Sequence, residues 1–407
     1  MEATLIEAPL SESPSFQAST TSPSATSLDA NRIQELHQLN EQFATAVVIP
    51  TYQTLVETTS QLTRASNTFS AAPSEATLSN LETAWMDTQS AWAAGIAFEF
   101  GPVHSLGYGR VIAFPTDTAG LTQLLETLSK TLSKTPSETS SETSSETEAV
   151  DSLSTTLKQA NIHVSLKGLG AIEHIIYSEG QPRLPDSFSA TERAYLIYLA
   201  ADIQTAASGL LSVWQVGWNG YPPYATVLGS AGNPDNGTYI SAQAGTEEII
   251  RGLVNSLDVI VNEELPALLE DSAEDPAALT QHSAQLRSLS STLAGIQLAY
   301  RGYQPSGPIS LSELRTRGLS SIRTTSGLAY FIRQTQEQSH QQIQQSLTTA
   351  IEQTAALQQM ALQTPAVAAT PEAAPDPATG LALTTTIDAL THAKTILETE
   401  VLVMVQD

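Results

Sequence analysis

Apolar residues recur along much of this chain at spacings of three to five, the period of helices that bury one face. From Leu28-Asp29 onward, Ile33, Leu36, Leu39, Phe43, Val47, Tyr52 and Leu55 trace one such stripe, with Asp29 or Asn31 placed to cap it. Pro50 lies inside this run and predicts a kink, because proline lacks a backbone donor and crowds the carbonyl four residues back. Ser74 opens a second helix whose stripe is Leu78, Leu81, Trp85, Trp92 and Phe98, and Phe100-Gly101-Pro102 stops it. A glycine-bearing loop leads to a short helix over 118–129.

Helical pattern resumes over 151–160 and runs into GLGAIEHIIYS, residues 168–178. Ser189 or Thr191 caps a long helix carrying Tyr195, Leu196, Leu199, Ile203, Leu210 and Leu211. Residues 217–239 are dense in Gly, Pro and Asn and predict a long loop at a domain boundary. Further helices are expected over 246–270, with Pro266 inside, then 277–300, 311–318, 321–362 and 381–404. A Pro/Ala loop over 364–378 separates the last two. No stretch reads as a strand.

The pattern therefore predicts an all-α protein of two helical-bundle domains packed side by side. Residues 1–28 form a flexible N-terminal tether and 29–216 the N-terminal bundle. Residues 217–240 connect it to the C-terminal bundle, 241–407. Within the first bundle, 130–150 holds PSETSSETSSETE, which has no apolar residue to bury and reads as a disordered insertion. Both halves place a proline inside a long apolar helix, Pro50 and Pro266, and follow it with a helix ending before a Gly-Pro pair. Ancient duplication of one bundle and the ordinary recurrence of bundle features both account for this.

Charge narrows the partners. The 407 residues carry 17 Lys and Arg against 42 Asp and Glu, a formal charge of -25. Such a field repels nucleic acid and anionic lipid and attracts cations. The absence of cysteine removes disulfides, thiolate metal sites and thiol catalysis. No run of 18 apolar residues is present, so no transmembrane segment is expected. The first residues lack the basic start and apolar middle of an export signal, although a leader already removed would leave no trace.

Candidate chemistry is sparse. The seven histidines are dispersed, and no His-Glu-x-x-His, Gly-x-Ser-x-Gly, P-loop or Gly-x-Gly-x-x-Gly pattern occurs. Glu173 and His174 are adjacent, so on a helix they point about 100° apart and cannot share a ligand as an i,i+3 pair does. Trp85 and Trp92 share a face and read as core. Glu99 falls at a helix C-terminus, where the helix dipole disfavours its charge, and Arg110 is a cationic partner for it or for Glu173.

Several patches resemble the imelysin family: Leu81-Glu-Thr-Ala-Trp85, Trp92, Phe98-Glu-Phe-Gly-Pro102, Phe114-Pro115, Gly168–Tyr177, and Tyr224–Leu265 with Gly-Leu-Val-Asn255 inside. The resemblance implies an all-helical two-bundle protein exported to the periplasm or cell surface and linked to iron uptake, with a lipid anchor on a removed leader as one mode of attachment. It also implies a site between the domains around a Gly-x-His-x-x-Glu helix. Gly168 matches the Gly and Glu173 the Glu, while Gly170 stands where the His belongs. The implied ligand-binding residues are Gly168, Gly170, Glu173 and His174, together with Glu99, His104 and Arg110. No catalytic residue is assigned, and an iron or other divalent ion, if held, would rest on Glu173. The expected function is a non-catalytic envelope protein binding a ligand or a metal- or haem-related partner among iron-uptake components. A metallopeptidase and a surface scaffold are the alternatives.

Overall fold

A computed structural model describes residues 25–132, 161–178, 181–274, 282–302, 327–363 and 377–406, with Leu153, Leu157 and Leu279 also placed. The first 24 residues of the expected tether, the Ser/Thr/Glu insertion from 133 to 150, most of the 151–160 helix, the 311–318 helix and the Pro/Ala loop to 376 lie outside the described residues.

In chain order the first helices are α1 (Ala25–Gln42), α2 (Ile49–Ala71), α3 (Glu75–Ala94), α4 (Pro102–Ser105), α5 (Tyr108–Ala113) and α6 (Thr118–Leu132). Next come α7 (Gly168–Ile176), α8 (Ala190–Gln215) and α9 (Tyr224–Gly229). The second half holds α10 (Ala242–Val259), α11 (Leu265–Glu274), α12 (Ser283–Arg301), α13 (Leu328–Thr335), α14 (Glu337–Gln363), α15 (Pro377–Ile396) and α16 (Leu402–Gln406). The expected all-α class holds. Among the described residues it departs from that class at a two-residue antiparallel pair, Tyr177–Ser178 with Gln181–Pro182.

Local chemistry sets the boundaries. Ser74 and Ser189 each build a capping box, accepting from the backbone of Thr77 and Glu192 while those side chains answer the cap residue's own N–H. Ser241 starts α10 four residues earlier than the apolar stripe predicts, because its Oγ accepts from Ala244 N at 3.1 Å. Residues 25–28, expected in the tether, belong to α1, and 130–132, expected in the insertion, belong to α6. The helix expected over 321–362 is two, since Gln336 leaves helical geometry at φ -143°. The loop expected over 217–239 contains α9 and a bridge between Trp218 and Tyr221.

Both internal prolines are accommodated in the same way. A wide π turn, Phe43–Val48, joins α1 to α2, and another, Ile260–Glu264, joins α10 to α11. Ile49 N–H bonds to Ala44 O and Leu265 N–H to Ile260 O, five residues back rather than four. Each turn sits directly before Pro50 or Pro266, where the ring would meet a carbonyl in a regular helix.

Helix α2 packs against α3 and α8, while α12 bridges α3 and α14, and α15 covers α14. One connected apolar core runs from Leu36 to Val405. Two features lock the halves together. Asn40 is fully buried, donating to Ala242 O at 2.9 Å and accepting from Thr246 Oγ1 at 2.8 Å. At the end of α3, a Cβ on Gly295 would stand 2.0 Å from Ala94 O, so only glycine lets α12 cross there. Helix α8 is long and apolar enough to cross a bilayer by length and composition, and half of its apolar window is buried inside the fold.

Candidate functional site

Helix α7 carries the segment on which the sequence focused, and both its ends are pinned. Gly168 begins it at φ +82°, and a Cβ there would stand 2.7 Å from Ile112 O at the end of α5. Glycine alone tolerates both the left-handed backbone and that approach. Trp85 Nε1 on α3 donates to Leu169 O at 3.0 Å, and Tyr195 Oη on α8 donates to Leu166 O at 2.8 Å. At the far end Arg183 donates to Ile175 O at 3.0 Å, satisfying a carbonyl that the helix leaves open. Leu169, Ala171, Ile172, Ile175 and Ile176 are buried, so Glu173 and His174 fall on the two flanks of the buried stripe.

The two flanks face different neighbours, as helical geometry requires. His174 Nε2 lies 3.4 Å from Thr122 Oγ1 on α6. It borders a shallow depression of about 400 Å3 that also holds the Arg183–Glu192 ion pair, 2.6 Å long. Glu173 instead joins a group of ionisable side chains around Tyr177. Burial raises the carboxyls of Glu173 and of Glu82 above their ordinary range. Tyr177 is pushed up to about 12, first by burial, then by Glu82 and Glu173, against the opposing charge of Arg287 on α12. The Trp85 ring stands 5.6 Å from the Tyr177 ring and closes the group from α3.

Gly170 has a neighbour that explains its size. A Cβ there would lie 2.4 Å from Thr116 Oγ1. That hydroxyl is itself buried without a hydrogen-bond partner. Thr116 thus fills the space that a side chain at 170 would need. The residues present do not fit the metal that a His-x-x-Glu pair would hold. Position 170 offers no donor and His174 turns to α6. Among the described residues no three His, Cys, Asp or Glu converge on a point.

Glu99, His104 and Arg110 lie apart from that group, on the segment that follows α3. Glu99 follows the short Ile96–Phe98 turn, and burial raises its carboxyl while exposed His104 partly offsets this. Its Oε1 packs at Gly109, where a Cβ would come within 3.2 Å. Tyr52 lies beneath, fully buried, its hydroxyl unpartnered and pushed well up by burial and then by Glu99. Arg110 does not pair with either glutamate. It is exposed and its guanidinium lies 5.3 Å from the Phe114 ring centroid.

Sequence reasoning missed Glu82, Tyr177 and Arg287. Glu82 and Tyr177 lay inside matched segments, and the scarcity of cations was the signal that could have singled out Arg287. Arg287 also reaches the edge of a cleft of about 340 Å3 between α3, α12 and α14.

Relatives give this arrangement a context. The imelysin peptidase family model matches residues 48–397. Iron-regulated protein A of Synechococcus elongatus is 28% identical over 272 residues, which span 67% of this chain and 66% of that protein. The fold matches the crystal structure of a candidate iron-regulated protein A precursor from Parabacteroides distasonis at TM-score 0.64 and 15% identity, over 93% of this chain and 96% of that one. It also matches an imelysin-like protein from Psychrobacter arcticum at TM-score 0.57 and 15% identity, over 92% of this chain and 96% of that one. With the family model covering most of the residues that build the α3, α7 and α12 junction, the chain belongs to the imelysin family.

Proposed function

We propose that this chain is an exported binding protein of iron acquisition that does not hydrolyse peptides, and that its ligand is held at the junction of α3, α7 and α12. The observation that carries the non-hydrolytic reading is the contact between Gly170 and Thr116. A metallopeptidase needs several donors on one metal and an activated water. Here the place for the imidazole is taken by a threonine, leaving Glu173 without a histidine beside it, in a group with Glu82, Tyr177 and Arg287. A cluster of mixed charge beside a cleft suits recognition, in which polar groups orient a ligand against an apolar wall. The iron context and export are supported by the names of its relatives, an iron-regulated protein and a candidate precursor of one.

The test uses the purified full chain. Peptide libraries are incubated with it in the presence of zinc, ferrous iron, copper or calcium, and haem and the same ions are titrated against the intrinsic tryptophan fluorescence and native mass. Unchanged libraries together with a saturable ligand signal are expected. Metal-dependent cleavage that disappears in Glu173→Gln would overturn the reading.

A further inference from the structure

The link between α8 and α9 carries two aromatic rings that the core does not use. Trp218 is 46% exposed and Tyr221 69%, and among the described residues they are the only exposed aromatic side chains. Trp85, Trp92 and Trp214 are all buried. The two exposed rings stand on one tight turn. Trp218 N–H donates to Tyr221 O at 3.2 Å and Tyr221 N–H to Trp218 O at 2.8 Å, so the pair closes a two-residue hairpin over Asn219-Gly220. Asn219 at φ +48° and Gly220 at φ +83° fit the type I′ turn that Asn-Gly favours. Residues paired in this way project their side chains from the same face of the ribbon, with Cα atoms about 5.5 Å apart.

The hairpin is held at both ends. Val216 N–H and Gly217 N–H both bond to Ser212 O, at 2.7 and 3.1 Å, and close α8. Tyr221 O comes so near Gly217 that a Cβ there would stand 2.1 Å away. Pro222 and Pro223 stiffen the exit. Behind them the Tyr224 ring packs on buried Trp214 at 4.9 Å, and its hydroxyl meets that of Tyr239 at 2.7 Å. A platform fixed in advance pays little ordering cost on binding.

Its surroundings are neutral. From residue 203 to 234 the chain has no Asp, Glu, Lys, Arg or His, the longest such stretch in a sequence of formal charge -25. The same link exposes the amides of Gln215 and Asn219. No described residue hydrogen-bonds the side chains of Gln215, Trp218, Asn219 or Tyr221. Nucleic acid and anionic lipid need cations, which this stretch lacks. A folded partner needs about 800 Å2 per side for a stable interface, and two aromatic side chains of about 150–250 Å2 each fall short of it. A second copy would also bring its own charge of -25. A neutral sugar asks for what is present. The negative faces of the rings attract the polarised C–H bonds of a pyranose, and uncharged amides, indole N–H and phenol answer its hydroxyls.

We propose that the Trp218–Tyr221 hairpin is a binding platform for a neutral glycan of equatorially substituted pyranose rings, the class of β-1,4-linked glucans and their N-acetylated counterparts. Equatorial substitution leaves only C–H bonds on the ring faces. The spacing of the pair is close to one pyranose unit, so the two rings meet successive sugars of one strand. The hairpin supplies no residue to the α3, α7 and α12 junction, and the inference stands independently of the ligand held there.

Cellohexaose, chitohexaose and the β-1,4-linked hexamer of glucuronate are titrated into the full chain by calorimetry, with acrylamide quenching of tryptophan fluorescence read in parallel. Trp218 is the exposed one of the four tryptophans, so quenching reports on the hairpin. Saturable binding of a neutral hexamer at up to millimolar concentration is expected, with Trp218 shielded from acrylamide. The glucuronate hexamer has the same ring geometry with a carboxylate on each unit, and at low salt it should bind about tenfold or more weakly. Trp218→Ala and Tyr221→Ala should each weaken binding about tenfold, and Trp218→Phe should keep most of it. Gly220→Val has open space for its Cβ but strains the backbone at φ +83°, so it should weaken binding by misplacing two intact rings. All four variants alter exposed positions and should keep the parent circular dichroism. No binding of either neutral hexamer, binding that survives both alanine changes, or equal binding of the charged hexamer would each overturn the proposal. So would shielding of Trp218 by phosphatidylcholine vesicles with none by the hexamers, which would make the hairpin a membrane contact.

Discussion

The contact between Gly170 and Thr116 yields a measurable sign reversal. In Gly170→Ala the new Cβ would sit 2.4 Å from Thr116 Oγ1, so α7 or the 114–117 turn must move by several tenths of an ångström. Overpacking of this kind costs about 1–3 kcal/mol. Alanine returns about 0.5–1 kcal/mol through its better helix propensity. The net expectation is destabilisation of about 0–2.5 kcal/mol from these two terms. Thr116→Ala removes a buried hydroxyl that has no partner, a relief that roughly cancels the lost methyl contacts, so alone it should be close to neutral. With Thr116 shortened the clash is gone, and Gly170→Ala should then stabilise by about 0.5–1 kcal/mol. Urea titrations of the four proteins, fitted with a common slope, give a coupling energy expected at about 1–3 kcal/mol. A coupling below about 0.5 kcal/mol would mean that Thr116 does not occupy the space beside residue 170, and the account of the missing imidazole would fail with it.

Asn40→Ala should cost about 1–3 kcal/mol, because it removes two buried hydrogen bonds and leaves Thr246 Oγ1 only its longer bond to Ala242 O, at 3.3 Å; chemical denaturation checks this. Burial alone would raise the carboxyl of Glu192, but hydrogen bonds from Arg183 and from Ser189 hold it below its ordinary value. Its contribution is therefore present above the unfolded carboxylate pKa of about 4.3 and lost as pH falls through the lower folded value, and Glu192→Gln should flatten that acid limb in a melting series. Glu173 has the opposite sign. Burial raises its folded value, so its contribution is full below the unfolded pKa and is lost as pH rises through the folded one. Glu173→Gln should consequently melt higher than the parent at neutral pH and show no such loss, whereas a lower melting point there would contradict the burial of that carboxylate.

Much of the fold was legible because long helices write their period into the chain. The stripe from Leu36 to Leu55 is buried residue by residue, and Ser74 and Ser189 cap the helices they were expected to cap. The break at Gln336 was not legible, since neither glycine nor proline marks it and the departure lies in backbone angles. Of the site, the divergence of Glu173 from His174 followed from helical geometry alone. The neighbours of Glu173 did not, because Glu82, Tyr177 and Arg287 come from three elements and meet only through tertiary packing. Nor could the sequence say why residue 170 is glycine, which depends on a threonine 54 positions earlier in the chain.

The wide turns before Pro50 and Pro266 act as phase shifters. Each adds one residue to a helix without adding a turn, so the side chains beyond it are rotated by about 100° relative to an uninterrupted helix. Tyr52, Leu55, Leu62 and Phe69 reach the core only because of that offset. Deleting Ala46 or Asn262 would restore regular winding and swing the following apolar stripe out of register with its partners. A gap of a single residue at these turns in any alignment with relatives therefore carries the meaning of a rotated helix, not of a shortened loop.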